Sequence, residues 1–204
     1  SDNKINFTGH QGEPKNCWLP VEQMTVKQDR DYFVEHPEYH MFLLPEYPSY
    51  EEQIAARDNV LSKFPKLNFC GCHFASLEWS IDEIAKRLDE FPSMMVDTAE
   101  RICHIQHQSV TRYEDVRNFI LKYQDRIIYG TDVIDDGKMS DEDLKTHIKK
   151  IWQRHWRYFT TGDIQTAPKV SEPFKGLDLP WDVIEKLYVK NAYKFYRLKQ
   201  LAIA

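Results

Sequence analysis

Short apolar runs alternate along most of the chain with stretches in which apolar residues recur at helical spacing. The runs over residues 4–10, 67–73, 94–98 and 126–132 are typical of strands, because they consist mostly of apolar or small residues and are followed by loops. Strands that alternate with helices predict an α/β fold in which parallel strands pair through right-handed crossovers.

Capping residues mark where several helices begin. Ser49 is followed three residues later by Glu52, which predicts a capping box and a helix up to Phe64. Ser80 starts a second helix that ends before Pro92. Residues 160–176 are expected to be irregular. A short helical signal lies within residues 25–35, and further helices are predicted over residues 113–123, 140–158, 181–188 and 192–201.

Four strand and helix units amount to half of an eight-stranded barrel. A complete (β/α)8 barrel typically needs about 250 residues, whereas this chain has 204. Four strands alone would leave two open sheet edges, and the first residue is Ser1 rather than Met. We therefore expect one domain over residues 1–204, the C-terminal part of a barrel whose N-terminal part is missing or lies in another chain.

Composition and charge exclude several classes of protein. Hydrophobic residues make up 42% and charged residues 29% of the chain, as is usual for soluble globular proteins. The formal charge of -5, with scattered Lys and Arg, predicts no nucleic-acid partner. No apolar run approaches the roughly 20 residues of a membrane span, so we expect no membrane partner and favour a cytoplasmic location, although a leader removed earlier would leave no trace. Reduced thiols are expected at all four cysteines: Cys17, Cys70, Cys72 and Cys103.

Three of the predicted strands end on a residue that can hold a metal or move a proton: His10, His73 and Asp132. Each has a plainer interpretation, since a histidine at a strand end is often a structural hydrogen-bonding group and an aspartate often caps a turn. The carboxyl ends of parallel strands are where ligands and catalytic groups gather. Imidazole and carboxylate together suit a divalent cation. The shared position therefore predicts one active site.

Two other histidine and cysteine patterns are less informative. Cys70 and Cys72 beside His73 have the spacing of a soft zinc site, but strand alternation would place both cysteines on one face and His73 on the other. We expect the cysteines to be small buried packing residues and His73 to face the pocket. The pair His104 and His107 follows the third strand and is expected to be a surface or packing feature.

Substrate contacts are expected from the loops that follow the strands. The candidates are Glu13, Trp18 and Arg101, of which Arg101 could bind a substrate carboxylate through two parallel hydrogen bonds. Solvated or structural roles are the alternative for each. Weaker candidates in the same loops are Glu46, Glu78 and Trp79.

Five stretches along the chain are distinctive: GHQGEP, FCGCHFASLEW, MMVDTAERI, YQDRIIYGTD and DLPWDVIEKLYVKNAYKFY. They resemble the amidohydrolase superfamily, in particular the branch that includes the aminocarboxymuconate semialdehyde and resorcylate decarboxylases. Asn191 stands where such proteins carry an asparagine. The resemblance covers nearly the whole chain and implies a metal-dependent (β/α)8 barrel of the TIM type, of which this chain supplies roughly strands five to eight and the closing helices.

The resemblance also implies residue roles. His10 would be a metal ligand, His73 would orient or deprotonate the attacking water, and Asp132 would bind metal and accept a proton. The cofactor would be a divalent metal, with zinc expected and manganese as the alternative. The His-x-His pair that this family carries on its first strand is absent, and a catalytic zinc usually needs three protein ligands. This chain alone should therefore bind metal weakly.

The leading functional hypothesis is a metal-dependent hydrolase in which a metal-activated water attacks a small carboxylated or cyclic substrate. Non-oxidative decarboxylation on the same site is the first alternative. The second is a non-catalytic half-barrel that assembles with another chain. The resemblance and the open sheet edges together favour a homo-oligomer, in the form of a dimer.

Overall fold

The computed structural model describes residues 5–198. Lys4, where the first predicted strand begins, and residues 199–201, where the last predicted helix ends, lie outside the described residues. Within them the sheet is built from four strands: β1 (Asn6–Gly9), β2 (Asn68–Gly71), β3 (Met94–Asp97) and β4 (Ile127–Ile128).

The four strands are parallel and lie side by side in chain order, β1-β2-β3-β4. Phe7 pairs with Phe69, Phe69 with Met94, and Val96 with Ile127 across the three ladders. Consecutive parallel strands joined by helical crossovers are the repeating unit of a (β/α)8 barrel. The predicted fold class is therefore confirmed.

Helices connect the strands and follow the last one. The capping box at Ser49 and Glu52 is formed and the hydroxyl of Ser80 accepts the amide of Glu83, as predicted. The hydroxyl of Ser140 likewise accepts the amide of Asp143. The helices are α1 (Lys27–Glu35), α2 (Tyr50–Lys63), the short turn α3 (Cys72–Ala75), α4 (Ile81–Glu90), α5 (Ile102–Lys122), α6 (Asp141–Thr160), α7 (Trp181–Glu185) and α8 (Asn191–Tyr196). Four 3-10 turns span Lys15–Trp18, Val21–Gln23, Pro37–Tyr39 and Met41–Leu43, and a π-helical turn spans Lys186–Lys190.

Some predicted boundaries hold and others were wrong. Helix α5 is kinked at Arg112 (φ -129°, ψ 40°), and the part after the kink confirms the helix predicted over residues 113–123. The part that begins at Ile102 was not predicted, because it buries polar residues such as His104 and Gln106 among tertiary contacts that periodicity does not indicate. Residues 160–176 include a short antiparallel pair, β5 (Ile164–Gln165) and β6 (Phe174–Lys175). The two closing helices are joined without a break by the π-helical turn.

The core lies between the sheet and the helices that cover it. Val96 and Ile127 of the sheet are fully buried, as is Ile84 of α4. The side chain of Asn191 donates hydrogen bonds of 2.7 Å to the carbonyls of both Gln124 and Ile127, which attaches α8 to the start of β4. All four cysteines are free thiols, as predicted.

Among residues 5–198, no helix combines the length and the apolar character that a membrane crossing requires.

Candidate active site

The second strand ends earlier than the sequence suggests, and its catalytic candidate lies on a left-handed turn. Strand β2 stops at Gly71, so the prediction that the strand continues to His73 was wrong. His73, Phe74, Ala75 and Ser76 all have φ values of 55° to 57°. Residues with a Cβ avoid this region, at a cost of roughly 1–2 kcal/mol each. Cys72 and His73 therefore lie outside the strand, and the prediction that strand alternation places them on opposite faces was wrong.

Contacts from distant parts of the chain hold this turn in place. The hydroxyl of Tyr50 donates a 2.5 Å hydrogen bond to the carbonyl of Ser76, and the buried guanidinium of Arg57 donates to the carbonyl of Ala75. The Ser76 hydroxyl donates to the carbonyl of Gly12, which ties the turn to the loop after β1. Phe74 is fully buried. Tertiary hydrogen bonds and burial thus offset the backbone strain.

Gly71 is required immediately before the turn because the chain folds back onto it. A Cβ at this position would lie 2.4 Å from the Cβ of Ala75 and 2.9 Å from its Cα, much closer than van der Waals contact allows. Glycine removes this steric obstacle. The close approach lets the turn leave the strand at once and brings His73 over the carboxyl end of β3.

The turn orients His73 through both its backbone and its ring. Its amide donates a 2.8 Å hydrogen bond to Oδ1 of Asp97, which ends β3, and its Nδ1 lies 2.8 Å from the carbonyl oxygen of Ala99. A carbonyl can only accept, so Nδ1 carries the proton and Nε2 presents a lone pair. Nε2 is 3.9 Å from Oδ2 of Asp132. The imidazole is therefore fixed in one tautomer with its basic nitrogen toward Asp132.

Asp97 is a site residue that the sequence analysis missed. Its Oδ1 accepts hydrogen bonds from the amides of His73 and Ala99, at 2.8 and 3.1 Å. Burial raises the pKa of Asp97 above its ordinary value, and these two hydrogen bonds offset part of that effect. The sequence did contain a signal for Asp97: it is an acidic residue near the end of the predicted strand that lies between the strands ending on His73 and Asp132.

His10 joins the same group of side chains. Its ring centroid is 4.7 Å from that of His73, in an edge-on arrangement. Nε2 of His10 also lies 3.9 Å from Oε1 of Glu13. Both side chains are about half exposed, at 41% and 49%. The structure thus brings His10, His73 and Asp132 to one place, with Glu13 beside them.

The donor types in this group suit a divalent cation, since His10 offers an imidazole and Asp132 a half-exposed carboxylate. Between residues 5 and 198, however, no three His, Cys, Asp or Glu side chains are arranged to hold a metal ion. The described residues therefore fit part of a metal coordination sphere and do not complete it.

Arg101 lies in a buried ionic cluster. Burial alone would lower the pKa of its guanidinium, but Asp29 and Glu78 raise it above the ordinary value. His104 Nε2 is 3.1 Å from Oδ2 of Asp29 in the same cluster, and both residues are buried. Glu78 is fully buried and accepts the amide of Lys15 at 3.1 Å. Internal carboxylates thus already balance part of the charge of the predicted carboxylate-binding residue.

The remaining candidates pack against Tyr50 or are exposed. Trp18 is half buried and packs edge-on against Tyr50, with 5.5 Å between ring centroids. Glu46 is exposed. Trp79 donates from its indole nitrogen to the hydroxyl of Tyr50 at 2.8 Å.

Beside Asp132 lies a cavity of about 780 Å³. Its wall includes Lys150 and Arg154 of α6, which were not among the predicted site residues.

Comparison with known protein families gives one result. The family model described as Amidohydrolase matches residues 21–198, which is most of the chain. No curated protein is significantly similar to the chain. No solved structure matches it significantly either.

Proposed function

The chain belongs to the amidohydrolase family, and on that basis we propose that it acts as a metal-dependent hydrolase on a small carboxylated or cyclic molecule. Members of this family are generally hydrolases or decarboxylases, and they generally bind divalent metals. One observation supports a catalytic role for particular residues: His73 is held with Nδ1 against the Ala99 carbonyl and Nε2 toward Asp132. That is the arrangement a proton-transfer group needs.

His73 is the proposed general base. Because its Nδ1 proton is committed to the Ala99 carbonyl, Nε2 is free to take a proton from an attacking water. The Asp97 carboxylate fixes the backbone of the same residue and so limits how far the ring can move. Asp132 Oδ2 is 3.9 Å from Nε2, and in this proposal the carboxylate favours the protonated imidazole and receives the proton in turn.

His10 and Asp132 are the proposed ligands of a divalent metal, with zinc expected and manganese as the alternative. A bound divalent cation supplies Lewis acidity and lowers the pKa of water. Additional ligands must come from outside this pair, since a catalytic zinc usually has three protein ligands. The exposure of His10 and Asp132, at 41% and 47%, supports a role in which both meet a ligand.

Non-oxidative decarboxylation is the second candidate, and the cavity beside Asp132 favours it. Two basic side chains in its wall, Lys150 and Arg154, suit an acidic substrate. In this reaction the bond between carbon and the carboxylate breaks, its electron pair stays on the substrate carbon, and that carbon takes a proton. His73 and Asp132 would deliver the proton.

Two parallel assays on the full-length protein test the enzyme proposal. One measures carbon dioxide release from aromatic acids, and the other measures hydrolysis of lactones and amides, each with added zinc and with added manganese. Turnover in the hydrolysis assay that a chelator abolishes supports the leading proposal, whereas turnover only in the carbon dioxide assay supports the second. Activity in neither assay with either metal contradicts both.

A further inference from the structure

We propose that the cavity beside Asp132 binds the carboxylate of a small organic acid through Arg154 and Lys150 of α6. This inference rests on the proposed function and specifies the substrate class of that site. The distinguishing feature is a set of cationic and amide donors on two helices that line one cavity and have no partners among residues 5–198.

The cavity has the size and the mixed lining of a small-molecule site. Its volume is about 780 Å³, within the range of roughly 300–1,000 Å³ usual for such sites. Asp132 forms part of its wall, so the cavity adjoins the group of His10, His73 and Asp132. Much of the remaining wall is apolar and comes from Ile102, Ile134, Met139, Leu144 and Ile151.

One face of α6 supplies the basic side chains. His147, Lys150 and Arg154 follow one another at intervals of three and four residues, so they lie on the same side of the helix. All three line the cavity, together with Leu144 and Ile151 from the same face. A helix that covers a sheet usually turns its apolar residues inward. Here Leu144, Ile151 and Arg154 are half buried while His147 and Lys150 are exposed, so apolar and basic side chains share a face at the boundary between the cavity and solvent.

Among the described residues, no carboxylate forms an ion pair with Arg154 or Lys150. Lys169, also in the wall, pairs with Glu100 at 2.6 Å, but Arg154 and Lys150 have no carboxylate within ion-pair distance between residues 5 and 198. Burial lowers the pKa of Arg154, and no nearby carboxylate offsets it. Burial, and then Arg154 and Lys169, lower the pKa of the adjacent His155 to about 4. An anion in the cavity would relieve this excess of positive charge.

Gln106 provides an independent indication from the opposite wall. Its side chain is buried, with 2% exposed, and its amide Nε2 has no hydrogen-bond partner among residues 5–198. Buried donors are nearly always paired, because an unpaired donor loses its hydration without compensation. Gln106 lines the cavity, so an oxygen of a bound ligand there could accept this hydrogen bond.

These features together favour a ligand that carries a carboxylate on an apolar group. A guanidinium binds a carboxylate through two parallel hydrogen bonds, which fixes the orientation as well as the position of the ligand. The isoleucine and methionine walls suit an aromatic or aliphatic body. The acid group would then lie against α6 while the rest of the molecule extends toward Asp132.

Calorimetric titration of the full-length protein at low ionic strength tests the proposal without turnover. The probes are 2-naphthoate and its neutral isostere 2-naphthamide. We expect the acid to bind at least tenfold more tightly than the amide, and Arg154→Met to weaken acid binding about tenfold. Lys149→Met removes the same charge one residue away from the lining position, and it should leave acid binding within about twofold of the wild-type value.

Equal binding of acid and amide, equal weakening by Arg154→Met and Lys149→Met, or no detectable acid binding would each overturn the proposal. If Arg154→Met fails to fold, Lys150→Met is titrated in its place, with the same expected direction and the same control. The readout is binding alone. A negative result in the titration therefore leaves the catalytic proposal intact. Conversely, absence of turnover in the enzyme assays leaves the binding of an acid in the cavity intact.

Discussion

The backbone amide of His73 donates a 2.8 Å hydrogen bond to Oδ1 of Asp97. This contact joins the left-handed turn after β2 to the end of β3. The same carboxylate oxygen accepts the amide of Ala99, whose carbonyl holds Nδ1 of His73. Asp97 therefore positions the proposed base from two sides without touching its reactive nitrogen.

Replacing Asp97 should affect stability according to whether an acceptor oxygen remains. Asp97→Ala leaves the amides of His73 and Ala99 without their partner, and we expect a loss of about 1–3 kcal/mol in the free energy of unfolding. Asp97→Asn keeps an acceptor at Oδ1 and removes a charge whose burial is unfavourable, so its loss should stay below about 1 kcal/mol. Urea unfolding at pH 7 measures both. Equal losses in the two variants would contradict the positioning role of Oδ1.

Gly71 should tolerate no side chain. Gly71→Ala would place a Cβ 2.4 Å from the Cβ of Ala75, so the turn must shift, at a cost of about 1–3 kcal/mol. Gly130→Ala is the matched control, because its Cβ would meet Ala99 at an ordinary 3.5 Å. We expect it to change the melting temperature by less than about 2 °C. Similar melting temperatures for the two variants would show that the turn does not press on Gly71.

The sequence predicts the strand order and the meeting of His10, His73 and Asp132, because strand ends and helix caps are local signals. It does not predict the turn at residues 73–76, because non-glycine residues rarely adopt left-handed backbone angles and the stabilising contacts come from Tyr50 and Arg57, which are distant in sequence. His73 therefore meets Asp132 because it follows a strand end, and strand alternation has no part in its orientation.

Buried polar groups were the other feature that local patterns did not indicate. His104 was expected to be a surface or packing residue, and it is buried in an ionic cluster with Asp29. The basic side chains of α6 that line the cavity were missed for a similar reason: basic residues at helical spacing are usually solvated, and only the fold shows that Arg154 is half buried in a cavity wall. Tertiary context decides both cases.

The Asp29 carboxylate should make stability depend on pH. Burial would raise its pKa, but His104 and Arg101 lower it below the ordinary value of 3.8. A carboxyl with a lowered folded-state pKa contributes stability above its unfolded pKa and loses that contribution as the pH falls through the folded-state value. Asp29→Asn should therefore be less stable than the wild-type protein at pH 6, by roughly 3–5 kcal/mol.

That difference should narrow as the pH falls below about 4. Urea unfolding of both proteins between pH 3 and pH 6 measures it; Glu78, whose pKa is raised chiefly by burial, is present in both proteins. A difference that stays constant over this range would contradict an ionised Asp29 in the folded cluster.

The turnover of His73→Asn tests the central claim most directly. Asparagine keeps the backbone amide that binds Asp97 and supplies a side-chain donor for the Ala99 carbonyl, but it has no basic nitrogen in place of Nε2. His107→Asn is the matched control, since His107 lies on α5 outside the converging group. We expect kcat to fall by about 10²–10⁴-fold in His73→Asn and to stay within about twofold in His107→Asn, with both variants folded. A kcat for folded His73→Asn within about twofold of the wild-type value would contradict the assignment of His73 as the proton-transfer residue.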